Sequence, residues 1–443
     1  MDTQEKQAAP PSVPTPAQAV NPCASFDVSA LGRGSALYAW LFDYPQREHW
    51  MGFFRRFWPF LRVPRVPLPF IPVQFRGMVL VFRDEDVREV LAHDRDFPVP
   101  WDRRMVEVTG NKNFVLGMED GPEYRCNYEQ LAKAFEREDV AKYVVPMAAE
   151  ASADILRGKT SIDAVRDLIW SVPSRLCEDY YGIETPDKLL LAEWTVAMSS
   201  YLFGSPSHIE PSGKGLALTA ADCFRNLIRS AIENTRQGHG RGVVLPRLIA
   251  MQRSNPQLTD DVLEAHLFGM VTGFIPTDLL AGGNMLNTLL SRDDFMAKAR
   301  KAALADDDDL LWRCLQETLR FRHFNPGPFR MCGPGGYTLA AGSRREKYLA
   351  PGTPVLASTQ SAMFDPGQVA RPRCFDPDRA AEDYMVFGYG QHWCLGAYIA
   401  IAQITQTFKA LLLKPGLRRA PGDAGKLRTI TVYPAHLTVE FDP

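Results

Sequence analysis

Phe387-Gly-Tyr-Gly-Gln-His-Trp-Cys-Leu-Gly396 is the segment that decides how the rest of this chain is read. Gly388 and Gly390 allow a tight backbone turn and a close approach to a flat ligand. Cys394 comes immediately before a helical periodicity that runs from Leu395 to Leu413. Amides at that helix start would donate to its sulfur, and the helix dipole would favour the thiolate over the thiol. By itself the run also fits an ordinary glycine-rich turn around a buried cysteine.

At every fixed position the run resembles the haem-binding signature of the cytochromes P-450: Phe-Gly-x-Gly-x-His-x-Cys-x-Gly. The resemblance implies haem b (iron protoporphyrin IX) as cofactor, with Cys394 as the axial ligand to the metal. It also implies that His392 bonds a haem propionate and that Phe387 packs by the sulfur. Gly388, Gly390 and Gly396 would shape the loop around the cofactor. A thiolate ligand pushes electron density toward cleavage of the O–O bond.

Other segments agree, in the family's order. Glu317 and Arg320 stand three apart in ETLR, on one helix face. Read alone they form a surface ion pair; with Arg379 in FDPDR they resemble the family's buried charge cluster, which is structural and not catalytic. Arg330, in NPGPFR, falls where the family places a propionate-binding arginine. A guanidinium suits a carboxylate through parallel donors. The stretch 351–366 resembles the family's strand and turn. The resemblance covers residues 27–443, expected as a single haem domain of the cytochrome P450 fold, mainly α with a smaller β portion.

Two sites depart from the pattern. Tyr124 and Tyr128 stand where the family usually offers a histidine and an arginine to a propionate. Phenols can hydrogen-bond a propionate but cannot neutralise it, so anchoring is expected to lean on Arg330 and His392. The second departure lies in GMVTGFIPTDLLAGG (269–283), on a long helix that begins after a Thr259 cap and ends near Leu290. There the family places an acid before a threonine facing bound oxygen. This chain keeps Thr277 but has Pro276 in the acid's place, with Asp278 one residue late and about 100° away on an ideal helix. Pro276 cannot relay a proton, removes a donor from the carbonyl of Thr272 and is expected to kink the helix. Water in that groove could then work with Thr277.

The other positions are more ordinary. Asp84 is expected to cap a short helix, and Gln74–Phe82 to form two strands about Gly77. Helical periodicity over 127–250 breaks at a loop, 203–215, and Asp306–Asp309 reads as a helix start. His266 is expected to be a packed or solvent-facing residue. Gly273, Phe274, Ile275 and Thr277, with Trp101 and Val106 from a loop at 97–115 and parts of 196–205, are expected to line the substrate pocket. That lining predicts a lipophilic small molecule. Residues 53–73, FFRRFWPFLRVPRVPLPFIPV, mix arginines with aromatics. They are expected to pack against the body of the protein, with peripheral membrane contact or a substrate entrance as the other reading.

Composition narrows the class. Hydrophobic residues make up 46% of the chain and charged residues 23%, with a net charge of −2. That suits a large core and gives no field that would call for nucleic acid. The eight cysteines are scattered, which points away from zinc and from a disulfide framework and toward a reducing cytoplasm. Residues 1–26, rich in proline and alanine, are expected as a disordered tail without a signal-peptide layout. No apolar run is long enough to span a membrane. The expected function is a monooxygenase fed by a ferredoxin-type donor. A peroxide-driven enzyme or a fatty-acid hydroperoxide isomerase is the alternative, because of Pro276, and a haem gas sensor is a remote third.

Overall fold

The computed structural model describes Cys23 and residues 26–443, apart from 67–71, 73–74, 111, 186, 207–210 and 323–324; the side chains of 211–212 are also left aside. The expected tail therefore lies outside the described residues, except for Cys23 and Phe26.

Helices dominate, with small sheets at the margins. The long central helix, Asp260–Leu289, starts where the Thr259 hydroxyl accepts the amide of Val262. Most of its residues are buried, so it is apolar on nearly all sides and forms the axis of the core. Lys188–Leu202 and Pro211–Arg236 pack together and against it on one side. Asp308–Phe321 and Ala397–Leu412 lie on another. The acid run does start a helix: Asp307 caps Leu310, and Asp308 pairs with Lys409.

A four-stranded sheet orders Phe60–Arg62, Val79–Val81, Pro354–Ala357 and Phe329–Met331. The middle pair is parallel, with Val79 opposite Val355, and the outer pairs are antiparallel. Near the C-terminus Arg428–Ile430 and Tyr433–His436 form a hairpin over the central helix.

Several local expectations need correction. The strand paired with Val79–Val81 is Phe60–Arg62, some fifteen residues before Gly77. Of the expected first strand, Gln74 lies outside the described residues, and Phe75–Gly77 is a turn in which the Phe75 amide donates to the Pro72 carbonyl and the Met78 amide to that of Phe75. Asp84 is the first helical residue of Asp84–Ala92, not its cap, and its carboxylate receives Arg88 instead. Residues 97–115 hold a helix, Asp102–Thr109, and the 203–215 loop ends early because Pro211 opens the next helix. The central helix continues through Pro276 without interruption. Cys23 is bonded to Cys223, 200 residues away in sequence, although the scattered cysteines pointed away from a disulfide framework; a scattered pair carries no spacing signal.

Candidate functional site

The cysteine loop adopts the backbone its glycines allow. Gly388 and Gly390 have φ of 82° and 72°, a region that side chains disfavour. At Gly390 a Cβ would also come within 2.4 Å of the Leu91 carbonyl oxygen. The Cys394 amide donates to the Phe387 carbonyl (3.0 Å), which closes the loop before the helix that starts at Ala397. Cys394 is a free thiol, and the Gly396 amide points at its sulfur. Burial nevertheless outweighs that amide and pushes the thiol up to about 11. The helix start alone therefore does not make the thiolate; a coordinated metal, which deprotonates a thiol outright, would.

Cys394 faces a cavity of about 560 Å³ whose walls are mostly apolar. From the central helix, Met270, Gly273, Phe274, Thr277, Asp278 and Ala281 line it, a stripe at helical spacing. Ile275 and Pro276 fall on the opposite face, are buried and do not reach the cavity, so the expectation that Ile275 contacts substrate is wrong. Trp101 lines the cavity as expected, while Val106 is outside it, 38% exposed. Ser199, Ser200, Phe203 and Ser205 represent the 196–205 stretch. Sequence reasoning missed Tyr181, stacked on Phe274 at 5.7 Å, and Val432 and Tyr433 from the C-terminal hairpin. No motif marks them, since the fold brings them in from far along the chain.

Asp278 also reaches this wall, although an ideal helix turns it away from Thr277. It lies four residues from Phe274 and three from Ala281, at the edge of the same stripe. Its Oδ2 is buried without a partner, and burial raises its pKa well above the ordinary carboxylate range. The Thr277 hydroxyl donates to the carbonyls of Gly273 and Phe274, within its own helix.

Donors for a haem propionate cluster on the other side of the loop. Arg330 is buried, its Nε lacks a partner, and its cation sits 5.9 Å from the Trp101 ring centroid. Desolvation lowers its pKa to about 10, against the pull of Asp94 and Glu119. His392 Nε2 is likewise buried and unpartnered; burial, then the Arg330 charge, lowers its pKa to about 3, so the ring is neutral. Tyr124 and Tyr128 line the cavity, but the Tyr124 phenol already donates to the Gln391 carbonyl (3.1 Å). Arg330 itself is not on the cavity wall; Phe329 beside it is. Phe387 lines the cavity and stacks on Trp312 at 5.9 Å.

These features fit a haem. A mostly apolar space ends at a sulfur on one side. His392 on its wall and Arg330 beside the wall residue Phe329 each keep one buried nitrogen without a partner, which a carboxylate would satisfy. Beneath, Glu317 and Arg320 are fully buried and bidentate (2.7 and 2.8 Å), unlike a surface pair. Glu317 also accepts from Asp376 N–H and Tyr384, and Arg379 approaches it at 3.6 Å. His266 is buried against Gln130, and no group of His, Cys, Asp and Glu suited to a metal is found among the described residues.

No family model matches the chain. It is 23% identical over 312 residues to a steroid C26-monooxygenase of Mycobacterium tuberculosis, covering 69% of this chain and 79% of that protein. A shorter stretch of 79 residues, 18% of this chain, is 37% identical to a bifunctional dioxygenase–epoxy alcohol synthase of Fusarium oxysporum, of which it covers 6%. Among solved structures, the P450 haem domain of Tepidiphilus thermophilus superposes with a TM-score of 0.73 at 21% identity, over 94% of this chain and 98% of that one.

Proposed function

This chain belongs to the bacterial-type cytochromes P450, haem-dependent oxidoreductases, and from that premise we propose that it inserts one oxygen atom of O2 into a lipophilic small molecule. The product is an alcohol or an epoxide, and the electrons come from a ferredoxin-type donor. The observation that carries this reading is the Cys394 sulfur on the wall of an apolar cavity that is also lined, from the central helix, by Thr277 and Asp278, a buried acid whose pKa is raised. When bound, the haem supplies the centre at which dioxygen is reduced and one oxygen is passed to carbon, the other leaving as water.

The chain's own residues divide the remaining work. In this proposal the Cys394 sulfur would hold the haem iron, with the residue positioned by the Phe387 carbonyl and the Gly396 amide. Arg330 and His392 hold the propionates. Phe274, Gly273 and Trp101 exclude water and orient an apolar substrate. Thr277 and Asp278 handle protons. Asp278 keeps a proton well above the pH at which an ordinary carboxyl loses it, so it can donate where Pro276 cannot. Thr277 must release one of its carbonyl partners to contact a ligand. The setting we propose is cytoplasmic. The Cys23–Cys223 bond, of a kind rare in a reducing compartment, is the feature this must accommodate, and thiol alkylation before lysis reports whether it forms there.

A second reading has specific support. Pro276 and the inward-bonded Thr277 weaken an O2-activating relay, which favours a peroxide as oxidant. Paired turnover assays separate the two. Product from NADH with surrogate ferredoxin and reductase, and not from peroxide, supports the monooxygenase. Efficient turnover only with hydrogen peroxide or a lipid hydroperoxide replaces it with the second reading.

A further inference from the structure

The segment around the first two helices, Ala36–Phe42 and Gln46–Phe57, presents a surface the proposed reaction does not use. Phe57 and Trp58 are each 58% exposed, and Phe53 is 48% exposed. Their rings contact one another, Phe53 lying 5.2 Å from Phe57 and 5.6 Å from Trp58. Leu37 and Trp40 are exposed on the neighbouring helix, three residues apart on its outer side. The inner sides of both helices, through Tyr38, Phe42, Met51 and Phe54, pack into a small core with Phe75 and Phe82. Packing is therefore satisfied without the outer aromatics, and their exposure is not a by-product of a poorly filled core.

The charge around them has one sign. Residues 28–82 hold seven arginines and only two acids. Both acids are already paired, Glu48 with buried Arg55 and Asp43 with Arg322. Arg33, Arg56, Arg62 and Arg65 remain exposed, and Arg56 lies over the Phe57 ring. Tyr38 and Phe75, which belong to the same small core, also line the cavity that Cys394 faces.

We infer that this face is a docking surface for an anionic lipid bilayer, through which an apolar substrate reaches the cavity. Aromatic rings beside arginines match the two layers of a membrane surface, the rings entering the acyl boundary and the cations meeting phosphate. A protein partner would be expected to present acids to the arginines and a socket for three clustered rings; a bilayer needs no such fit. Among the described residues no helix is long and apolar enough to cross a membrane, and the contact inferred here is peripheral. This holds whether O2 or a peroxide is the oxidant.

The test is flotation of the full-length, haem-loaded protein with vesicles of phosphatidylcholine alone and of phosphatidylcholine with phosphatidylglycerol. Binding is expected to the anionic vesicles, weakened by salt and by Arg56→Glu. Replacing Phe57→Ser and Trp58→Ser together is expected to reduce it at least about tenfold, since each ring contributes through burial. An unchanged Soret band and circular dichroism show that the variant is folded. Quenching of tryptophan emission in the unaltered chain by brominated phospholipid gives a readout that needs no variant. Absence of binding to anionic vesicles overturns the inference, as does equal binding by the folded double variant. A concentration-dependent dimer that the double variant abolishes also overturns it, because a second copy would then be the occupant.

Discussion

Asp278 places a buried carboxyl, its pKa raised by desolvation, on the wall of the cavity that Cys394 faces, and its environment makes two measurements informative. Its folded pKa is raised, so the folded chain binds one more proton than the unfolded chain once pH exceeds about 4. Stability from this residue is thus full below that pH and is lost as pH rises toward the folded value. Asp278→Asn, neutral in both states, is expected to melt at the same temperature as the parent near pH 4 and higher at pH 8. The same variant should lose about tenfold or more of its O2-dependent turnover and little of its peroxide-driven turnover, as expected of a proton donor. At the propionate side, Arg330→Leu is expected to weaken haem retention by about tenfold or more, measured by transfer to apomyoglobin. Tyr124→Phe should change it by less than about threefold, because that phenol is committed to the Gln391 carbonyl. Sequence alone proposed Cys394, His392 and Arg330 as a set, of which Cys394 and His392 line the cavity and Arg330 does not. It could not show that the Tyr124 donor is spent, or that Asp278 shares the cavity stripe while Ile275 does not.

Among the elements, the central helix and the Asp308–Phe321 helix carry the site for different reasons. The latter holds the Glu317–Arg320 pair at zero exposure, tied to Met363, Pro372 and Cys374 carbonyls by the guanidinium. Removing one partner strands the other charge in a dry interior, so Glu317→Ala is expected to destabilise the protein by about 3–5 kcal/mol in denaturant titrations. On the central helix, His266 bonds Gln130, and burial lowers its pKa to about 3. Between that value and about 6.5 the unfolded chain takes up a proton that the folded chain refuses, so stability falls as pH falls. His266→Gln is expected to flatten that slope by about 1.4 kcal/mol per pH unit. The helices themselves were legible from signals such as the Thr259 cap and the acid run Asp306–Asp309, within which Asp307 proves to be the cap. The sheet was less so: Phe60–Arg62 and Val79–Val81 are three residues each, too short for alternation to mark, and their pairing depends on Pro354–Ala357 from far along the chain.

Across the whole molecule, the fold was legible because ordered motifs near residues 317, 330, 379 and 394 constrain everything between them. Contacts over long separations were not: the Cys23–Cys223 bond ties the N-terminal segment to the Pro211–Arg236 helix, and nothing in local sequence pairs those two cysteines. Reduction, or Cys23→Ser, is expected to cost about 2–5 kcal/mol, and the variant should then be insensitive to reductant in thermal melts. The apolar cavity likewise emerges only once distant segments are assembled, whereas the basic aromatic face was already marked in the sequence by residues 53–73.

The central claim is that Cys394 ligates a haem, and the most direct measurement is the absorption spectrum of reduced protein under carbon monoxide. The account predicts the red-shifted Soret band of thiolate ligation in the parent, and its loss in a folded, haem-containing Cys394→Ser variant. A parent band at the position given by a histidine ligand, or a red-shifted band that survives in Cys394→Ser, would contradict it.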